Sequence, residues 1–348
     1  PEDIDGGGAS DRATSFEKVL LGFTNTMTPG HIQPPIVTRF RDHTADGIRH
    51  ERIADDNFFT PEEFEAADHH IRGKFDELGQ FSGSVQVYGK EPVPYLVRWP
   101  NPTGASTECG PFEINFAYVQ GNFRESRLPR ESYDQILAKL NKIGGIYVYR
   151  DGVRVLPYGD SDYDFLDIEL RRNKGSAYYF FSYRRMFGVI EISRDENRSL
   201  VEKAGREGFQ VNRAYRQFKS ILEQFLVQTA ADFFREGGIN RAVFEEERDR
   251  IAKEHELLER RRKQVAGRRK ELSNSLQRFF ERINDAYFER QAETLLVEAK
   301  LRFELAADQG LTSDLLMSGM REVRDQKSLE ISAKNIPLNF AHHLKNSE

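Results

Sequence analysis

The chain has 348 residues, with 51 Lys and Arg against 56 Asp and Glu, giving a net charge of −5. That length can bury a sizeable core and predicts two or three domains. A single cysteine, Cys109, excludes a disulfide framework and a thiolate metal cluster. No apolar run nears the roughly 20 residues needed to cross a bilayer, so the composition predicts a cytoplasmic protein without membrane contact.

Residues 1–60 read as an irregular N-terminal extension. The start at Pro1, followed by Asp5-Gly6-Gly7-Gly8, predicts a piece of a longer protein. Ser15–Phe23 could form a short helix, and Thr28-Pro29-Gly30 and Pro34-Pro35 break regular structure. Thr60-Pro61-Glu62-Glu63 is a helix start, with a capping Thr, Pro at the first helical position and an acid three residues after the cap. This helix is expected to run to about Phe75 and to carry His69 and His70.

An alternating region follows and makes residues 61–240 an α+β domain with a mixed sheet. Ser82–Tyr88 and Pro111–Val119 are predicted strands, the second with Phe112, Ile114, Phe116 and Tyr118 on one face. Glu131–Ile143 is a predicted helix with Ile136, Leu137 and Leu140 inward. Gly145–Tyr149 is a strand turned by Arg150-Asp151-Gly152 into Val153–Val155, and Tyr178–Phe181 and Phe187–Ser193 are further strand candidates.

The stretch Glu202–Tyr215 places two glycines around Arg206 ahead of an amphipathic helix. Its apolar positions, from Val211 through Tyr215, Phe218, Leu222 and Phe225 to Phe234, recur mostly at steps of three and four. A glycine-bracketed cation opening a helix can approach a phosphate closely, whereas the bland account is a solvated loop charge.

Residues 241–308 change character. Phe244, Ile251, Leu258, Val265, Leu272 and Phe279 are spaced by sevens, with no proline between Arg241 and Asp308. The pattern predicts a long helical arm, or a helical hairpin, in which Phe279, Phe280, Ile283 and Leu295 meet a partner helix. Arg260, Arg261, Arg262, Lys263, Arg268, Arg269 and Lys270 place seven cations within eleven residues, able to follow a nucleic-acid backbone. Pairing with Glu254, Glu256, Glu259 and Glu271 on a solvated face is the alternative, and Gly267 marks a kink or a close approach. Residues 309–348 read as a tail.

Catalytic constellations are scarce. The eight histidines show no metal-ligand spacing, and neither a Gly-x-Ser-x-Gly elbow nor a Walker-type phosphate loop occurs. Asp160 and Asp162 sit in a turn whose chemistry accounts for them.

The string GGIYVYRDGVRVLPYGD (Gly144–Asp160), YFFSYRRMFGVIEISRDEN (Tyr179–Asn197) and EKAGREGFQVNRAY (Glu202–Tyr215) resembles the transducer half of GHKL-type ATPases. This is the superfamily of gyrase B, the Hsp-type chaperones, histidine kinases and MutL, and the resemblance is nearest to prokaryotic MORC-like proteins. It implies an N-terminal ATPase domain, missing from this chain, that binds ATP and Mg. It implies further that Arg206, where the family usually has lysine, senses the γ-phosphate with Glu207 beside it. Lys203, Gly205, Gly208 and Asn212 would then surround the nucleotide. The Asn-bearing helix that holds Mg is absent, and Asp5–Ala9 is at best a remnant of the adenine loop, so the chain alone is expected neither to bind ATP tightly nor to hydrolyse it. The resemblance also implies ATP-dependent closure of a homodimer, a DNA partner for the arm, and a role in phage or mobile-element defence. A non-enzymatic coiled-coil scaffold and a nucleic-acid-binding module without ATP are the rival readings.

Overall fold

The computed structural model describes residues 21–30, 40–43, 49–53, 58–100, 104–205 and 207–308, and Arg321. They divide into two compact units, one ending at His255 and one beginning at Glu256.

The first unit is built on a seven-stranded mixed sheet of order β5-β4-β3-β6-β9-β7-β8. Its strands are β3 (His69–Phe75), β4 (Phe81–Val87), β5 (Val93–Val97), β6 (Phe112–Tyr118), β7 (Gly145–Arg150), β8 (Val153–Arg154) and β9 (Met186–Ile192). A separate hairpin, β1 (Phe40–His43) and β2 (Arg49–Ile53), precedes them. All neighbouring pairs in the large sheet are antiparallel except β7 and β9. Alternation along each strand feeds two cores. From β6, Phe112, Ile114, Phe116 and Tyr118 enter one, and from β9 so do Met186, Ile190 and Ile192. Ala117, Tyr147, Tyr149, Phe187 and Val189 enter the other.

Helix α5 (Arg213–Thr229) covers the first face and continues into a single π turn at Ala230–Phe234. It buries Ala214, Tyr215, Phe218, Ile221, Leu222, Phe225, Leu226 and Thr229. Phe225 packs among Phe81 (ring centroids 4.3 Å) and Phe75 (5.2 Å). Val211, expected on this face, is instead 65% exposed, because it precedes the helix and its cap. The second face is covered by α2 (Arg130–Ile143), which buries Tyr133, Ile136, Leu140 and Ile143, together with α1 (Pro61–Ala66).

The N-terminal extension is not separate from this domain. Leu21, Met27, Phe58 and Phe59 lie in the second core, and the Arg154 guanidinium donates to the Leu21 carbonyl at 2.6 Å. Residues 1–20, with most of the expected Ser15–Phe23 helix and the Asp5–Ala9 stretch, lie outside the described residues, as does the 309–348 tail apart from Arg321.

Three expectations are corrected. The capping box at Thr60 forms, with Thr60 and Glu63 bonded reciprocally, but α1 stops at Ala66. His69–Phe75 is then a strand inside the sheet, paired with both β4 and β6. Buried Asp68 fixes that change of direction by accepting from the backbone N–H groups of Gln120 (2.8 Å) and Arg127 (2.8 Å) and from Ser126 Oγ (3.1 Å). The Tyr178–Phe181 segment is not a strand: Ser176–Tyr179 forms a one-turn helix, α4, after α3 (Ile168–Lys174). The boundary at Arg241 also moves. Helix α6 runs from Arg241 to Asn284, and its first turns bury Phe244, Glu247 and Ile251 in the first unit.

In the second unit α6 continues unbroken through Gly267, where an added Cβ would meet nothing within 4 Å, so no close approach occurs there among the described residues. Of the two forms expected for 241–308, a single long helix is not what forms: Ala286 adopts φ 51° between α6 and α7 (Tyr287–Asp308), which makes two helices. No described helix is long and apolar enough to cross a membrane.

Candidate phosphate-facing loop

Parallel strands β7 and β9 end side by side at Arg150 and Ile192, and the chain beyond Ile192 folds back over that end of the sheet. Asn197, fully buried, secures the first bend. Its Nδ2 donates to the carbonyls of Cys109 (2.6 Å) and Pro111 (2.8 Å), and its Oδ1 accepts from Ser193 N–H (2.9 Å). Glu202 and Phe209 then form an antiparallel bridge, closed by Lys203 N–H to Gly208 O (2.9 Å) and Gln210 N–H to Val201 O (2.8 Å).

The base of this hairpin is pinned from beneath. Phe209 is buried against Tyr158 with ring centroids 5.1 Å apart, and its N–H donates to Tyr158 Oη at 3.2 Å. The Arg150 guanidinium lies 5.3 Å from the Phe209 ring centroid, pairs with Glu202 at 2.7 Å and also donates to the Leu200 carbonyl. Gly208 supplies the reversal at φ +87°, and a Cβ there would come 3.1 Å from Tyr158 Oη. A side chain at this position would meet both backbone strain and a crowded phenol.

Of the sequence-derived candidates of this loop, Arg206, the proposed sensor, lies outside the described residues. Its neighbours Ala204, Gly205 and Glu207 are exposed at the tip of the hairpin. Lys203 is half-buried, and its N–H closes the base. Gly208 is a packing and turn residue. Asn212 is a helix cap: its Oδ1 accepts from Tyr215 N–H (2.9 Å) and its Nδ2 donates to Ser199 O (2.6 Å). Because α5 begins at Arg213, the Gly205–Gly208 turn does not open the helix, and the expected anion site at a helix N-terminus is replaced by a hairpin tip.

Residues that single-sequence reasoning missed complete the surroundings. A shallow cleft of about 620 Å³ beside the hairpin is lined by Arg150, Arg194, Arg198, Asp195 and Glu202 among others. Arg198 pairs with Asp195 at 3.6 Å, and both are largely exposed. Three guanidiniums against two carboxylates leave this cleft cationic. Another cleft, of about 940 Å³, lies against the sheet and has the opposite character. Asp76, Glu77, Glu113, Asp151, Glu191 and Glu196 face it against Lys74 alone, so size does not make it a phosphate site.

His69 and His70 are neighbours on a strand and so point to opposite faces of the sheet. Both are buried and held neutral: burial pushes His69 well below the usual histidine range and His70 to about 4. Among the described residues no group of three His, Cys, Asp or Glu side chains could hold a metal ion. Burial raises the Cys109 thiol above its ordinary range, which leaves it a poor nucleophile. Asp160 accepts from Asp162 N–H (2.9 Å), the turn role expected of it.

The seven cations of the 260–270 run are all exposed. Arg260 pairs with Glu256 at 2.7 Å, and Glu254 pairs instead with Arg250 at 2.6 Å. Four consecutive cations, then three more, go round a helix of 3.6 residues per turn and do not form a stripe on one face. Comparison of the chain with protein-family models, curated proteins and solved structures returned no match.

Proposed function

We propose that residues 61–240 act as the transducer of a GHKL-type ATPase, with the hairpin tip at Ala204–Glu207 as the element that meets the γ-phosphate. The observation that carries this reading is the contrast between the tip and its base. The base is pinned by Phe209, Arg150 and Asn197, while the described tip residues are exposed and bordered by a cationic cleft. In this reading ATP and Mg belong to an N-terminal ATPase domain, which presents the nucleotide to Arg206 and Glu207. Arginine suits the task, since its planar fork can bond two phosphate oxygens at once.

Transmission follows from the cap. Asn212 ties Ser199 O, at the foot of the hairpin, to the first turn of α5. A tip drawn toward phosphate would therefore pull on the start of α5, and nucleotide would favour one of two arrangements by offering Arg206 a contact in only one of them. The arm then carries that change to a partner. Duplex DNA and a second copy of this chain are the proposed partners, in defence against phage or mobile elements. The specific support for DNA is the exposed cationic collar of α6.

The test is ATP turnover by this chain joined to its ATPase domain. Arg206→Ala is expected to lower turnover by about 10²–10³, the usual cost of losing a charge-assisted contact in the reacting state. Arg206→Lys should retain more. Unchanged turnover in Arg206→Ala makes this tip an ordinary surface loop and removes the proposal.

A further inference from the structure

A second cationic cleft lies at the other end of the same sheet. It opens where β6 ends and β9 begins, about 20 Å along β9 from the hairpin, given roughly 3.3 Å per strand residue. Its volume is about 610 Å³, and Arg172, Arg184 and Arg185 line it together with Asn122, Asn141 and Ser176. These arginines come from two elements, α3 and the 3₁₀ turn Tyr183–Arg185 that leads into β9.

Several cations elsewhere in the unit meet carboxylates, Lys139 with Glu63 at 2.7 Å, Lys219 with Asp167 at 2.6 Å and Lys90 with Glu247 at 2.8 Å, whereas buried Arg154 donates to the backbone carbonyls of Leu21 and Tyr158. In the cleft none of the three guanidiniums pairs with a carboxylate of a described residue. Arg172 is held by neutral oxygens, donating to Phe180 O at 2.6 Å and toward Tyr118 Oη at 3.4 Å. Arg185 Nη1 is buried and has no hydrogen-bond partner among the described residues.

Two acids stand near. Glu125 lines the cleft, and Glu169 is occupied with Ser182 Oγ and the Arg184 backbone N–H. Asn141, near the C-terminal end of α2, brings a small negative dipole that opposes an anion. Three guanidiniums outweigh one lining carboxylate and one helix end. A buried donor on a cation is costly to leave unmade, and an oxyanion placed between planar forks would satisfy it.

We propose that this cleft binds the phosphoryl group of a small ligand, with half-buried Arg185 anchoring it through its buried Nη1 and Arg172 and Arg184 closing round the remaining oxygens. A cleft of this size admits a ligand larger than free phosphate, and half-buried Phe180 offers aromatic surface beside the charge. The site is independent of the hairpin tip and does not need the transducer reading to hold.

Titration calorimetry with pyrophosphate, at constant ionic strength set by chloride, tests it on the whole chain. Binding is expected, weakened about tenfold or more by Arg184→Gln or Arg185→Gln and unchanged by Arg198→Gln at the hairpin cleft. Adenosine diphosphate in place of pyrophosphate separates two sources of the phosphoryl group: tighter binding assigns a nucleotide, equal binding a site that reads phosphate alone. Arg184 is exposed, so its variant keeps the test valid if Arg185→Gln fails to fold. No heat up to about 10 mM pyrophosphate, or binding that both cleft variants leave intact, overturns the assignment. Binding lost only in Arg198→Gln overturns it as well and moves the anion to the hairpin.

Discussion

Helix α5 and the later turns of α6 both carry regularly spaced apolar residues, and the structure treats them in opposite ways. In α5 the apolar positions recur at three and four, form a broad face, and bury eight residues against the sheet. In α6 single positions recur at seven. The first two, Phe244 and Ile251, are 5% and 4% exposed, yet Leu258 and Val265 further along the same ladder are 50% and 49% exposed. One register therefore serves two purposes within one helix. Periodicity identifies which side of a helix is apolar, whereas the density of that side decides whether burial can repay the ordering of the chain.

The largest expected effect lies at the centre of the dense face. Phe225 is 1% exposed and touches Phe75, Phe81 and Tyr95, so Phe225→Ala removes a ring that its neighbours cannot replace. A loss of about 3–5 kcal/mol is expected in urea unfolding followed by circular dichroism. A loss under about 1 kcal/mol would mean that α5 does not pack on the sheet as described.

How much of this was legible follows the same physics. Strands β4 and β6 and helices α2 and α5 were readable because alternation or three-four spacing matched a buried face. Strand β7, the Arg150–Gly152 turn and β9 were readable because short apolar runs buried on both faces are bounded by turn and polar residues. Strand β3 was not: His69, His70 and Arg72 look like solvent-facing helix residues, and it is packing against distant Tyr88, Gln120 and Phe234 that makes His69 interior, while His70 is buried against Phe64. Pro94 obscured β5, which tolerates it as the edge strand of the sheet. At the hairpin, the two glycines were visible in the sequence. That Phe209 anchors on Tyr158 depends on a contact 51 residues apart in the chain, and that α5 waits until Arg213 depends on the Asn212 cap with its tie to Ser199. The three-arginine cleft was invisible for the same reason.

The packed unit should also betray itself by its response to acid. Burial holds His70 neutral with a pKa of about 4, its Nε2 within 2.6 Å of the Phe64 carbonyl, while in the unfolded chain it titrates near 6.5. Because the folded value is the lower one, the unfolded state takes up the proton first. Stability is therefore complete above pH 6.5 and lost as pH falls toward 4, by about 3 kcal/mol from this residue. His69 acts in the same direction, whereas Asp68, raised by its own burial, binds its proton more readily when folded and so opposes them near the bottom of the window. The difference between chains isolates His70. Between pH 7 and 4, His70→Gln should lose about 3 kcal/mol less than the unmodified protein. Parallel stability curves would show that His70 is already protonated or solvated when folded.

The smallest effect on stability is expected in the sparse part of α6, where it also decides what that helix is for. Leu258 and Val265 are half exposed, so Leu258→Ala or Val265→Ala should shift unfolding by no more than about 0.5 kcal/mol. A cost well above that would mean that the sevens bury against a second copy of the chain in solution. Reversal of Arg260, Arg261, Arg268 and Arg269 to glutamate should likewise leave helicity unchanged, since among these only Arg260 makes an ion pair with a described residue, Glu256. Its effect should fall on binding. If duplex DNA is the partner, affinity drops with salt at a log–log slope of roughly −0.9 per phosphate neutralised, and the reversed variant no longer binds. Affinity that survives the reversal, or no affinity for the unmodified chain at low salt, assigns these turns to protein contact and leaves the cations as a solvating collar.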